Sequence, residues 1–87
     1  MIVVRIPSPL HSYTGGRSQV QLDADSIAML SERLDALFPG IRFRIIDERD
    51  RIRPHIQFFV NGEMVRDLAH PLAPADQVHI ICALSGG

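Results

Sequence analysis

One amphipathic helix stands among short β-branched segments. Ile27, Leu30, Leu34 and Leu37 recur at intervals of three and four, which lays a single apolar stripe along a helix. Asp23-Ala24-Asp25-Ser26 precedes the stripe, and Asp25 or Ser26 can accept a hydrogen bond from an orphan N–H of the first turn. Pro39-Gly40 stops the helix, and Glu32, Arg33 and Asp35 fall on its other faces. One helix cannot cover two faces of a sheet, so it packs on one face and leaves the other without a helical cover.

The remaining apolar runs are short and alternate, as strands do. Ile2 to Ile6 is a strand with Ile2, Val4 and Ile6 inward; Pro7-Ser8-Pro9 ends it. A loop turning at Thr14-Gly15-Gly16 leads to a second strand, Ser18 to Leu22, and the two form a wide hairpin. His55 to Val60 is a strand with Ile56, Phe58 and Val60 inward. Asn61-Gly62 is a strong hairpin signal, and Glu63 to Val65 returns as a short edge strand. Leu68 and Leu72 plug a loop punctuated by Pro71 and Pro74. The last strand is Gln77 to Ala83, with Val78, Ile80 and Cys82 inward. Between Ile41 and Pro54, apolar residues are interrupted by five arginines; this stretch reads as a short irregular or strand segment followed by a polar turn around Arg49-Asp50.

Composition narrows the function. The chain's 87 residues make one domain; at that length only about 60–65% of the surface is buried, which leaves little room for an enclosed catalytic cleft. The formal net charge of −1 argues against a nucleic-acid groove or a polybasic membrane contact. All nine basic residues are arginine, so there is no Schiff-base lysine and no P-loop lysine. The single cysteine excludes an internal disulfide and a cysteine-based metal cluster, and it suits a reducing cytoplasm. No apolar run approaches the ~20 residues of a membrane helix, and no signal peptide opens the chain.

The chain closes on Leu84-Ser85-Gly86-Gly87 directly after its last strand. Residues 1–83 are thus expected to be the folded domain, and 84–87 a thin, flexible tail. Glycine carries no Cβ, so Gly86 and Gly87 fit a channel too narrow for ordinary side chains. Five extended residues from Ala83 reach roughly 17 Å. A terminal carboxylate, ionised above about pH 3.5, is an anionic nucleophile able to attack the α-phosphate of ATP.

The full order is strand, strand, helix, strand, short strand, strand. With the final strand beside the first, it matches the β-grasp arrangement of ubiquitin: an α+β fold whose mixed sheet of four to five strands carries one main helix on one face. The whole chain resembles the MoaD/ThiS family of ubiquitin-like sulfur carriers. The resemblance rests on Gly86-Gly87 after Val78-His79-Ile80-Ile81, and on Phe59-Val60-Asn61-Gly62-Glu63. Within the family, Ile6-Pro7-Ser8-Pro9-Leu10 with Thr14-Gly15-Gly16, and the long Ile41–Pro54 stretch, resemble the CysO-like members.

The resemblance implies a protein co-substrate rather than an enzyme. An E1-like adenylyltransferase of the MoeB/ThiF type would use ATP to adenylate Gly87. The acyl-adenylate would become a thiocarboxylate, and a sulfur-accepting biosynthetic enzyme would take the sulfur into cysteine, molybdopterin, a thiamine thiazole or a related metabolite. No cofactor is expected on the chain itself: Thr14-Gly15-Gly16 is followed by Arg17 and reads as a turn, so the partner binds ATP. Two other readings stay open at this point, a modifier conjugated through Gly87 and a plain β-grasp interaction module.

Several residues invite chemistry that their context does not support. Cys82 sits at an inward strand position and is expected to pack. His11, His55, His70 and His79 are scattered over separate elements with no metal-ligand spacing. Arg42 to Arg53 interleave with Asp47, Glu48 and Asp50 and suit a solvated hairpin. Ser8, His11 and Ser12 form no triad. Phe59 and Ile81 differ: alternation sends them to the face opposite the helix. With no second helix to cover them, they are expected to form a partner-binding surface at the base of the tail.

Overall fold

The computed structural model describes residues 1–83. The expected tail, Leu84, Ser85, Gly86 and Gly87, lies outside the described residues.

Five strands form one mixed sheet: β1 (Ile2–Arg5), β2 (Gln19–Leu22), β3 (Ile56–Val60), β4 (Glu63–Val65) and β5 (Gln77–Cys82). Their order across the sheet is β2-β1-β5-β3-β4, so the last strand is central. It runs parallel to β1 and antiparallel to β3. Helix α1 (Ile27–Leu37) packs on one face. This is the β-grasp arrangement. The inward residues are those that alternation selects: Ile2, Val4, Val20, Leu22, Ile56, Phe58, Val60, Val78 and Ile80 are all buried. They meet Ile27, Leu30 and Leu34 of α1, each fully buried.

The connections close local hydrogen-bond deficits. Ser26 caps α1 by accepting from the N–H of Met29 at 3.1 Å. Two further N–H groups of the first turn, on Ile27 and Ala28, donate to the carbonyls of His70 and Leu68. The loop that carries Leu68 and the buried Leu72 is thereby tied to the helix start. Asn61 (φ 50°) and Gly62 (φ 89°) both adopt the left-handed region, as a two-residue I′ hairpin requires. The Asn61 amide then accepts from the Gln77 N–H and donates to Asp76, which couples the hairpin to the start of β5.

Two expectations need correction. Leu37 is not part of the buried stripe but is 56% exposed. Past Leu34 the inner positions are taken by Phe38 and, across the Pro39-Gly40 turn, by Ile41, which is fully buried. The second correction concerns Ile41–Pro54, which opens with a short helix, α2 (Ile41–Ile45), rather than a strand or irregular segment. Gly40 turns the chain at φ 97°, and one Asp35 carboxylate oxygen accepts from the N–H groups of both Gly40 and Arg42. Helical spacing puts Ile41 and Ile45 on the buried face and turns Phe43 outward, 57% exposed. The polar turn does follow: Ile46 bridges Ile52, and the Asp47 carboxylate accepts from the N–H groups of Arg49 and Arg51.

Candidate functional site

The sheet face opposite α1 is built from the outward residues of four neighbouring strands. Register places Arg5 beside His79, His79 beside Phe59, and Phe59 beside Met64. Ile81 lies opposite Gln57, so Phe59 and Ile81 are diagonal neighbours rather than a directly opposed pair. Diagonal positions on adjacent antiparallel strands are about 7–8 Å apart, still within reach of an aromatic ring. Arg5, Phe59, Gln77, His79 and Ile81 contribute to a shallow hollow of about 550 Å³. Neither α2 nor the 46–54 segment lines it.

Phe59 and Ile81 are both half-buried, and Met64 is 42% exposed. The apolar centre is flanked by a guanidinium and an imidazole, which gives an apolar middle and a polar rim. Reading single strands missed Met64, Arg5 and His79. The Asn61-Gly62 turn held the signal for Met64: a two-residue loop pairs Val60 with Glu63 and therefore Phe59 with Met64.

Cys82 ends β5 on the helix side, where it is half-buried and packed against the core. That position is less enclosed than a core residue's. The N–H of Ala83 donates to the carbonyl of His55 at 2.7 Å, the last rung before residue 84. The sheet therefore holds the backbone as far as residue 83, with the Phe59–Ile81 face beside that exit. The structure does not describe Gly87, Gly86, Ser85 or Leu84 and so brings none of them to this face.

The chemistry elsewhere is structural. Thr14 is buried, and its hydroxyl donates to the Arg17 carbonyl at 2.7 Å, which fixes the Thr14-Gly15-Gly16 turn on itself. His11 uses a ring nitrogen on the Ile6 carbonyl. Among the described residues, no three His, Cys, Asp or Glu side chains gather as a metal site, and no helix is long and apolar enough to cross a membrane. Two carboxyls are held below the usual range. Asp76 is stabilised in its charged form chiefly by the Ala73 N–H, then by the Asn61 amide. Asp47 is stabilised chiefly by the Arg51 N–H. Both sit in turns.

Comparison with known proteins agrees with this geometry. Residues 4–87 match the ThiS family. A Mycobacterium tuberculosis protein named sulfur carrier protein CysO is 33% identical over 91 residues, covering 99% of this chain and 98% of its own. The CysO complex with BexX from Amycolatopsis orientalis contains a chain that superposes with a TM-score of 0.94 at 27% identity, over 100% of both chains. SAMP1 of Haloferax volcanii, at 23% identity and a TM-score of 0.78 over 99% of this chain and 98% of its own, shares the fold. The sheet order, the single main helix and the match along almost the entire length give one conclusion: the chain belongs to the ThiS family of ubiquitin-like β-grasp proteins.

Proposed function

We propose that this chain is a sulfur carrier that works at Gly87 as a co-substrate of other enzymes. The observation that carries the reading is the run from the central strand β5 into Ser85-Gly86-Gly87, together with a match to CysO carriers over nearly the whole of both chains. An E1-like adenylyltransferase of the MoeB/ThiF type binds ATP. The Gly87 carboxylate attacks the α-phosphate, and pyrophosphate leaves. A sulfide or persulfide sulfur supplied by a donor then attacks the acyl carbon, and AMP leaves. A persulfide adduct also requires reduction of its S–S bond by a thiol before the thiocarboxylate is free. The thiocarboxylate sulfur passes to a biosynthetic enzyme that forms cysteine, molybdopterin, thiazole or a related metabolite. These steps belong to the cytoplasm.

The chain's own residues supply position. Phe59 and Ile81 give the partner an apolar grip beside residue 83, and the rigid sheet fixes where the tail begins. Placing the acyl carbon against a bound nucleotide turns an encounter between two molecules into a reaction within one complex. Gly86 leaves the tail narrow enough to thread the partner.

Deletion of Gly87 tests the reading. It should abolish ATP–pyrophosphate exchange by the cognate activating enzyme while the amide spectrum of residues 1–83 stays unchanged. Undiminished exchange by the folded deletion variant would overturn the proposal. Gly86→Val should impair exchange as well, because its branched side chain widens the tail.

A further inference from the structure

A second recess lies beside the same exit, on the helix side of the sheet. It is a groove of about 290 Å³, with Leu10, Phe43, Arg44, Arg53, His55 and Cys82 in its walls. Three of these carry or can carry positive charge, and no carboxylate among the described residues lines it. Arg53 is held in place. Its guanidinium carbon lies 4.5 Å from the Phe43 ring centroid. Its Nε donates to the Phe43 carbonyl. Arg44 lies over the Tyr13 ring at 6.0 Å. The ion pair found among the described residues is Arg42–Asp50, which uses neither Arg44 nor Arg53.

A guanidinium stacked on a ring and fixed through Nε has lost much of its rotamer freedom before any ligand arrives. Its two remaining nitrogens form a fork that matches a carboxylate in bidentate fashion. Beside it, Leu10, Phe43 and Cys82 supply apolar wall. Phe43 is a large side chain that α2 turns away from the core without covering it.

We propose that this groove docks an acidic, aliphatic segment of a partner protein, with a carboxylate on the Arg53 fork and a neighbouring aliphatic side chain against Leu10 and Cys82. A partner using both surfaces would grip the chain's exit from the two layers of the fold, Phe59 and Ile81 on one side and Arg53 and Phe43 on the other. The groove is a property of the folded domain and does not depend on sulfur chemistry at Gly87.

The test is a titration of the ¹⁵N-labelled full chain with an acetylated, amidated peptide carrying paired glutamates between leucines. The same peptide with paired lysines is the control. Saturable shifts are expected at Phe43, Arg44, Arg53, His55 and Cys82 with the acidic peptide alone. Arg53→Lys keeps the charge but loses the fork, and should weaken binding by at least about fivefold. Arg44→Glu gives an independent check, because the Arg44 side chain makes no hydrogen bond to the backbone among the described residues; it should weaken binding while the remaining spectrum is preserved. Four results would overturn the proposal: no saturable shift at about millimolar peptide, which bounds affinity at roughly 4 kcal/mol; equal shifts with the lysine peptide; shifts confined to the Phe59–Ile81 face; or the same shifts produced by removing residues 84–87, which would make the chain's own end the occupant.

Discussion

Cys82 is the chain's only thiol, and it stands five residues before Gly87, yet its surroundings are those of a packing residue. Cys82→Ala should cost on the order of 1 kcal/mol in chemical denaturation, since only a half-buried sulfur is removed. Thiocarboxylate formation should stay near wild type; loss of sulfur loading in the folded variant would make Cys82 a chemical group. Phe59 and Ile81 should behave in the opposite way. Neither faces α1, so Phe59→Ala and Ile81→Ser should change folding little but weaken binding to the activating enzyme at least tenfold, about 1.4 kcal/mol. Calorimetry showing wild-type affinity in both variants would contradict the docking role. The face of each strand residue was legible from alternation, because the sheet's pleat has period two wherever the strand is regular. Leu37 and Phe43 were not legible in this way. Their exposure depends on how the chain turns at Pro39-Gly40 and on Asp35 reaching across to begin α2, and neither is written in the spacing of apolar residues.

At the level of elements, α1 was the plainest signal, with its Ser26 cap, its three-and-four spacing and its Pro-Gly stop. The Asn61-Gly62 hairpin was equally plain, since both residues tolerate the positive φ that a I′ turn needs. Helix α2 was hidden. Over five residues, Ile41, Phe43 and Ile45 alternate with arginines as a strand would, and too few turns exist for a helical period to emerge. The hairpin also carries a pH signature. Hydrogen bonds from Ala73 and Asn61 hold the Asp76 carboxyl below its ordinary value in the folded chain. An aspartate in the unfolded chain titrates near about 3.9, so the stabilisation is present above that pH and is lost as pH falls through the folded value. Denaturation midpoints should therefore drop as pH falls below about 4. Asp76→Asn should flatten that part of the dependence, leaving whatever Asp47 adds in the same direction. An unchanged slope in Asp76→Asn would show that Asp76 plays no part in it.

For the whole molecule, the order of strands and helix led to a β-grasp sheet with the final strand beside the first, and the structure has that neighbourhood, with β5 in the middle. The parallel pairing of β1 with β5 follows from the connectivity: α1 lies between the first hairpin and the second, and the chain returns to the gap beside its first strand. The open sheet face was legible only in part. Phe59 and Ile81 could be assigned to it strand by strand, whereas Arg5, His79 and Met64 join it only once the register across four strands is known. The chemistry proposed for the tail rests on Gly86-Gly87 and the family resemblance. Intact mass spectrometry of the chain isolated from its native cells tests that chemistry. A carrier should yield a fraction heavier by the difference between one sulfur and one oxygen, with the change localised to Gly87 and lost when the activating enzyme is deleted. Protein-sized adducts through Gly87, or a single unmodified mass under conditions of sulfur demand, would contradict the account.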